Sequence, residues 1–280
     1  MELDYFLLIS WFIGTSIISI SILIICKPKE IQLNLEQVGK MFKDYWIHIF
    51  VGIVAIFSKF LIDKIDRILM SKEQLDMTEI IFSIEGKTVL VFQETIRNNF
   101  LDFILTHFYI IGLMTTTFCT FAFPLYFNDR KMANRVSISI ISSYLLAIPF
   151  FLFFNVRVTG EYITEMETIA YDLSPEINNW FQTIDTFSNG MPSLHVALPL
   201  SALLTLRRAN KEEWYKFQYF LIIMISLTIF SILYLGIHWI LDILAGFIIA
   251  RISVIISERT NENFWSYVYS KLSPNKNIIN

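Results

Sequence analysis

The 280-residue chain is poor in charge: Asp, Glu, Lys and Arg supply 17% of it, against 55% hydrophobic and 16% aromatic residues, and the mean hydropathy is +0.55. A soluble domain of this length cannot hide so much apolar surface in one core, so the composition points to membrane solvent. Cysteine is nearly absent. The two present, Cys26 and Cys119, fall in or at the ends of apolar runs, which argues against a disulfide framework and gives no sign of redox chemistry. There is no internal repeat, low-complexity tract or Gly/Ser linker, and the chain reads as one membrane domain with an extra first helix. A basic stretch ahead of the first apolar run is missing too. Glu2 and Asp4 stand there and the positive residues follow, which favours an N-out anchor over a cleaved signal.

What the chain does have is long apolar runs. A helix needs about 20 apolar residues to cross a hydrocarbon layer of ~30 Å. Stretches at 5–26, 46–62, 100–127, 136–154, 191–206, 217–236 and 238–256 qualify, giving about seven crossings. The net charge of −3 says little, but the placement of the positive residues says more, because Lys and Arg collect in short cytoplasmic loops. With the N-terminus outside, fourteen of the 22 Lys and Arg lie inside, among them Lys27, Lys40, Arg130, Arg207, Lys211 and Lys276. Six lie outside: Lys64, Arg67, Lys72, Lys87, Arg97 and Arg157. The turn at 188–193 then faces the extracytoplasmic side. Residues 29–45, with Ile31, Leu33, Leu35, Val38, Met41 and Phe42 among charges, are expected as a helix in the membrane interface. Residues 63–99 are too charge-interrupted to span and are expected as a solvated or half-buried amphipathic segment, with Glu85, Gly86 and Gln93 unusual within it. Asn155–Gly190 is polar and turn-rich, and it leads into the turn at 188–193.

Of the four histidines, His48 and His107 have no carboxylate or turn motif beside them and are expected to be packed or interfacial. His238 differs. In "YLGIHWILDILAG", Asp242 follows four residues later, one helical turn away on the same face. A carboxylate in an apolar span costs a few kcal/mol and normally has a partner. Asp242 can take the Nδ1 proton of His238 and leave Nε2 with its lone pair outward, as in a nucleophilic triad. His195 sits in "SNGMPSLHVALPL", where Gly190 can make the turn, Pro192 suits a first-turn position, and Ser193 adds a hydroxyl beside free backbone N–H groups. Such a helix start binds anions. A histidine there, beside a bound anion, tends to stay protonated and can donate to a leaving oxygen.

"PSLH" at 192–195 and "SILYLGIHWILD" at 231–242 resemble the second and third motifs, P-S-G-H and S-R-x5-H-x3-D, of the type 2 phosphatidic acid phosphatase superfamily. Ser231, His238 and Asp242 match at the family spacing. The resemblance implies an all-α polytopic membrane helix bundle, with a six-helix core at 46–256, an extra transmembrane helix and interfacial helix at 1–45, and a cytoplasmic tail at 257–280. It implies His238 as nucleophile forming a phosphohistidine, Asp242 as its orienter, His195 as general acid and Ser193 in the phosphate cradle, with no metal and no cofactor needed. The chain departs from the pattern at Leu194, where Gly is usual, and at Ile232, where Arg is usual. It also lacks a clean first motif, K-x6-R-P: aligned on Arg157, the Lys position is Phe150 and the Pro position Val158. Arg157 is then the phosphate-binding arginine. P-S-L-H with a third motif lacking Arg is similar to the branch that includes inositol phosphorylceramide synthase, which transfers a head group between lipids. A site with fewer cations suits a singly charged phosphodiester better than a monoester.

The expected function is therefore lipid phosphatase or phosphotransferase, with a membrane lipid as substrate, the bilayer as surroundings and no nucleic acid as partner. Two rivals stay open. His195, His238 and Asp242 could ligate zinc in a metal-dependent intramembrane hydrolase, although no H-E-x-x-H accompanies them. Alternatively, the membrane His and Asp could belong to a transporter or proton pathway, although the ionisable groups gather near one face and no two halves repeat.

Overall fold

In the structure, a computed structural model, residues 2–29, 31, 34–70, 76–184 and 187–272 are described. Leu33, Lys72, Lys276 and the end of the expected tail, 273–280, lie outside the described residues. The first helices are α1 (Glu2–Cys26), α2 (Leu35–Asp44), α3 (Trp46–Met70), α4 (Thr78–Glu85), α5 (Thr88–Ile96) and α6 (Asn99–Tyr126). After them come α7 (Arg130–Phe153), α8 (Thr159–Tyr162), α9 (Pro175–Ile184), α10 (Leu194–Ala209), α11 (Tyr215–Tyr234) and α12 (Ile240–Leu272). Among the described residues the only extended pairings are two isolated bridges, Asp76 with Asn155 and Val156 with Asn189. The protein is an all-α polytopic membrane bundle.

Local chemistry explains the long helices. In α1 the hydroxyls of Ser10, Ser16 and Ser21 donate to the carbonyls of Leu7, Phe12 and Ile17, so these three hydroxyls are satisfied within their own helix. Asn98 caps α6 by accepting from the N–H of Leu101, and Asp129 caps α7 by accepting from that of Met132. Helices α7, α10 and α12 form the centre, flanked by α6 and α11, with α1 against α6 and α3 against α7. Lipid tails are as apolar as leucine, so close approach of small residues, rather than water exclusion, holds such helices together. Ala147, Ala197, Ala202 and Ala250 are all buried at this centre, and the Ser143 hydroxyl donates to Ser253 Oγ at 3.0 Å, tying α7 to α12.

Each of the seven expected spans corresponds to a helix, and among the described residues five are long and apolar enough to cross a membrane: α1, α6, α7, α11 with its short 3-10 lead-in, and α12. One expectation is corrected. The helix expected at 191–206 is α10, of 16 residues, because the Gly-Met-Pro-Ser turn delays its start to Leu194. Pro192 accordingly lies before the helix and not in its first turn. Helix α3 runs for 25 residues and contains the whole of the expected 46–62, its apolar sequence continuing past Ala55 through Ile56 and Phe57 to the first charge at Lys59. Conversely, α12 runs beyond the expected 256 to Leu272, and its Trp265 and Tyr269 pack on Ile47 and Ile138. Helix α2 buries no residue and exposes Leu35 and Phe42, as an interfacial helix should.

The 63–99 segment is more ordered than its charge suggests. It ends in α4 and α5, whose Ile81, Val89 and Leu90 form a small core with Val156, Ile163, Met166 and Trp239. This cap lies over the loop that precedes α12.

Candidate active site

Three elements converge at the end of the bundle where α7 and α11 finish and α10 and α12 begin. The loop after α11 turns through Gly236, at φ +76°, where a side chain would collide with the carbonyl of Glu167. His238 follows in this loop, and Asp242 lies in the first turn of α12. Asp242 is wholly buried. Its Oδ2 accepts from His238 Nδ1 at 3.0 Å and from the N–H of Trp239 at 2.9 Å, and among the described residues its Oδ1 accepts no hydrogen bond. Because the carboxylate accepts the hydrogen bond from Nδ1–H, His238 Nε2 carries a lone pair pointing away from it.

That lone pair meets the other motif. Ser193 caps α10, wholly buried, with its N–H donating to the backbone carbonyl of Asp242 at 3.0 Å and its hydroxyl 3.2 Å from His238 Nε2. His195 Nδ1 lies 3.0 Å from the same Nε2, the two rings meeting edge to face. Gly190 brings this turn close enough: a side chain there would lie 2.8 Å from the carbonyl of Val156 and 3.2 Å from Asp242 Oδ2. Both histidines line a cavity of about 240 Å³ whose walls are mainly aromatic and aliphatic, including Tyr109, Tyr171, Trp180 and Phe181. Among the described residues none of its lining side chains is Lys or Arg.

The structure thus brings His195, His238, Asp242 and Ser193 together. It places the Arg157 guanidinium elsewhere, at 2.7 Å from Asp76 and half exposed, and Arg157 is not among the cavity-lining residues. The Arg157 backbone is nonetheless built into the site's frame, its N–H donating to Thr78 Oγ1 and its carbonyl accepting from Trp239 Nε1. His48 and His107 stand apart from the cavity, His48 bonded to Asn134 and stacked on Trp265. Asp242 approaches His238 on the side of the ring away from His195, so in this arrangement the three cannot converge on one ion. Among the described residues no group of three or more His, Cys, Asp or Glu is placed to hold a metal.

Several supporting residues escape motif reading. Glu85 reaches from α4 to accept from the N–H groups of Ile240 and Leu241 at 2.9 and 2.6 Å, satisfying two of the free donors at the start of α12. Burial raises the Glu85 carboxyl above the ordinary carboxylate range, and those two donors oppose the shift. Gln93, almost fully buried, donates to the carbonyls of Tyr234 and Glu167 at 2.8 and 3.0 Å and accepts from the N–H of Glu167. It fastens the loop carrying Gly236 to the 155–190 segment. Asn189 donates to the buried Asp63 of α3 at 3.2 Å. The unusual Glu85 and Gln93 were visible as sequence oddities. Tyr109, whose hydroxyl lies 3.0 Å from His195 Nε2, gave no signal, since a tyrosine inside an apolar helix looks like any aromatic packing residue.

A family model of the PAP2 superfamily matches residues 79–256, more than half of the chain, and the protein belongs to that superfamily of membrane phosphatases and phosphotransferases. No curated protein and no solved structure matches the chain. The matched region starts in α4 and ends within α12. It therefore includes Glu85, Gln93 and Tyr109 along with both histidine motifs, and leaves α1 to α3 outside.

Proposed function

We propose that the protein is a lipid phosphatase or phosphotransferase that works through a phosphohistidine on His238. The observation that carries this reading is the contact of His238 Nε2 with His195 Nδ1 at 3.0 Å on a shared cavity, with Asp242 bonded behind His238. His238 attacks phosphorus through Nε2 while Asp242 holds the Nδ1 proton and stabilises the positive charge that develops on the ring. His195 gives its Nδ1 proton to the departing alkoxide, and Ser193 with the start of α10 cradles the phosphoryl oxygens. Water or a second alcohol then gives its proton to His195 and takes the phosphoryl group from His238.

The aromatic walls suit a lipid chain, and the scarcity of cations on them favours a singly charged phosphodiester, as in the head-group transfer of the inositol phosphorylceramide synthase-like branch. Arg157 remains the nearest candidate for a phosphate contact, in which substrate would compete with Asp76 for the guanidinium. The residue assignments, the division into 1–45, 46–256 and 257–280, and an active site facing the extracytoplasmic side belong to the same proposal; the distribution of Lys and Arg supports the orientation. The test is incubation of purified protein with lipid phosphomonoesters and phosphodiesters, with and without an alcohol acceptor, scoring free phosphate against transferred head group. Turnover that persists undiminished in His238→Ala would sink the reading.

A further inference from the structure

The two motif histidines do not end the hydrogen-bonded line. From Asp242 Oδ2 it runs 3.0 Å to His238 Nδ1, 3.0 Å from His238 Nε2 to His195 Nδ1, and 3.0 Å from His195 Nε2 to the Tyr109 hydroxyl. Tyr109 comes from the middle of α6, is 4% exposed, and packs its ring against that of His195 at 5.4 Å. The proton positions along this line are determined from one end. Asp242 is an acceptor, so His238 carries Nδ1–H and its Nε2 is an acceptor. His195 must therefore present Nδ1–H, its own Nε2 is an acceptor, and the Tyr109 O–H donates to it.

We infer that Tyr109 is the positioning residue that satisfies His195 Nε2 in each protonation state and lets the ring exchange protons on the cavity side without turning. This rests on the function proposed above. When His195 is the imidazolium, its Nε2–H donates to the phenol oxygen and its Nδ1–H points at the substrate. As the P–O bond breaks, the electron pair goes to the leaving oxygen, which takes the Nδ1 proton. The ring is then neutral with Nε2–H held on Tyr109 and a lone pair on Nδ1. That lone pair receives the proton of the incoming water or alcohol as the P–N bond to His238 breaks and its electron pair returns to Nε2. The imidazolium is restored, so the cycle balances. Only a group that both donates and accepts can satisfy Nε2 in each state, and a hydroxyl does so by rotating. Among the described residues, the titratable groups lining the cavity around His195 are Tyr109 from α6, Tyr144 from α7, Tyr171 from the 155–190 segment and His238.

The test uses the purified full chain and Tyr109→Phe. With histidines isotopically labelled, nitrogen NMR of the wild type, the His195 signals assigned by their loss in His195→Gln, should show the neutral ring as the Nδ1–H tautomer. An Nε2–H tautomer there overturns the inference, and this readout needs neither turnover nor the Phe variant. In Tyr109→Phe the His195 pKa should fall, because the imidazolium loses its acceptor, and the alkaline limb of kcat should move to lower pH with KM nearly unchanged. Turnover of an alkyl phosphodiester should drop about tenfold or more, while that of a nitrophenyl ester, whose leaving group needs no proton, should drop far less. Equal losses on both esters with an unmoved alkaline limb would make Tyr109 a packing residue only. Absence of turnover by the wild type on every ester would count against the proposed function alone, since the His195 nitrogen shifts of Tyr109→Phe against the wild type still decide the role of Tyr109, unmoved shifts making it a packing residue only.

Discussion

Two buried histidines at opposite ends of the bundle have nearly the same ingredients and different situations. His48, at the end where α7 begins, is wholly buried, 2.8 Å from Asn134 Oδ1 and stacked on Trp265 with ring centres 4.1 Å apart. His238, at the other end, is equally buried but has a carboxylate on one nitrogen and, on the other, a second histidine and a cavity. Burial and a hydrogen bond are therefore not enough for chemistry. A neutral amide can hold an imidazole but cannot stabilise positive charge developing on it, and a ring face covered by indole leaves no route for a reactant. The partners differ in kind throughout. Around His48 the network is Arg130 over the Tyr45 and Tyr269 rings, with Tyr269 also donating to Asn134, a packing clamp of aromatic faces. Around His238 the network is a directional line of donors and acceptors.

This contrast can be attacked at several points. His238→Ala should lower turnover of a lipid phosphate ester by more than about 10³-fold while the protein remains folded, since the atom that bonds to phosphorus is gone. Asp242→Asn, isosteric but uncharged, should cost about 10²–10⁴-fold in kcat with the melting temperature little changed; a normal rate would deny the aspartate its orienting role. His195→Ala should slow alkyl esters by about 10²–10⁴-fold and spare esters of acidic phenols, which separates a proton donor from a wall of the cavity. Gln93→Leu strips the carbonyls of Tyr234 and Glu167 of their donor at about 1–3 kcal/mol for each group left unpaired, so both thermal stability and kcat should fall. An unaffected kcat would mean that the cap formed by α4 and α5 does not position His238. The smallest effect should come from His48→Phe, which keeps the ring on Trp265 and leaves Asn134 its bond from Tyr269. We expect a loss of about 1 kcal/mol or less and unchanged kcat per folded molecule, and a large fall in kcat would erase the distinction between the two ends.

Much of the fold was legible because membrane helices announce themselves by length and hydropathy, and α1, α6, α7, α11 and α12 do so. Helix α10 falls short of its apolar run because the turn residues before Leu194 hold back its start. The pairing of His238 with Asp242 was readable from their spacing of four, although His238 lies in the loop before α12 and not on its helical face, and Asp242 reaches back to it from the first turn. The meeting of His195 with His238 was not readable by spacing, since 43 residues and two helices separate them, and it entered only through resemblance to a family. Arg157 shows the converse. Its place near the site followed from the chain running into the turn, but its partner, Asp76, lies on a segment whose path no local pattern fixes.

By itself the sequence determined the solvent, the helices and the local constellation of His238 with Asp242, because each depends on hydropathy or on contacts within one turn. Only the tertiary structure decided that α6 delivers Tyr109 to His195 and that Glu85 and Gln93 brace the start of α12 and the loop before it. Hydrogen bonds between helices depend on ångström-scale placement of atoms far apart in the chain, and no periodicity along the sequence encodes that placement.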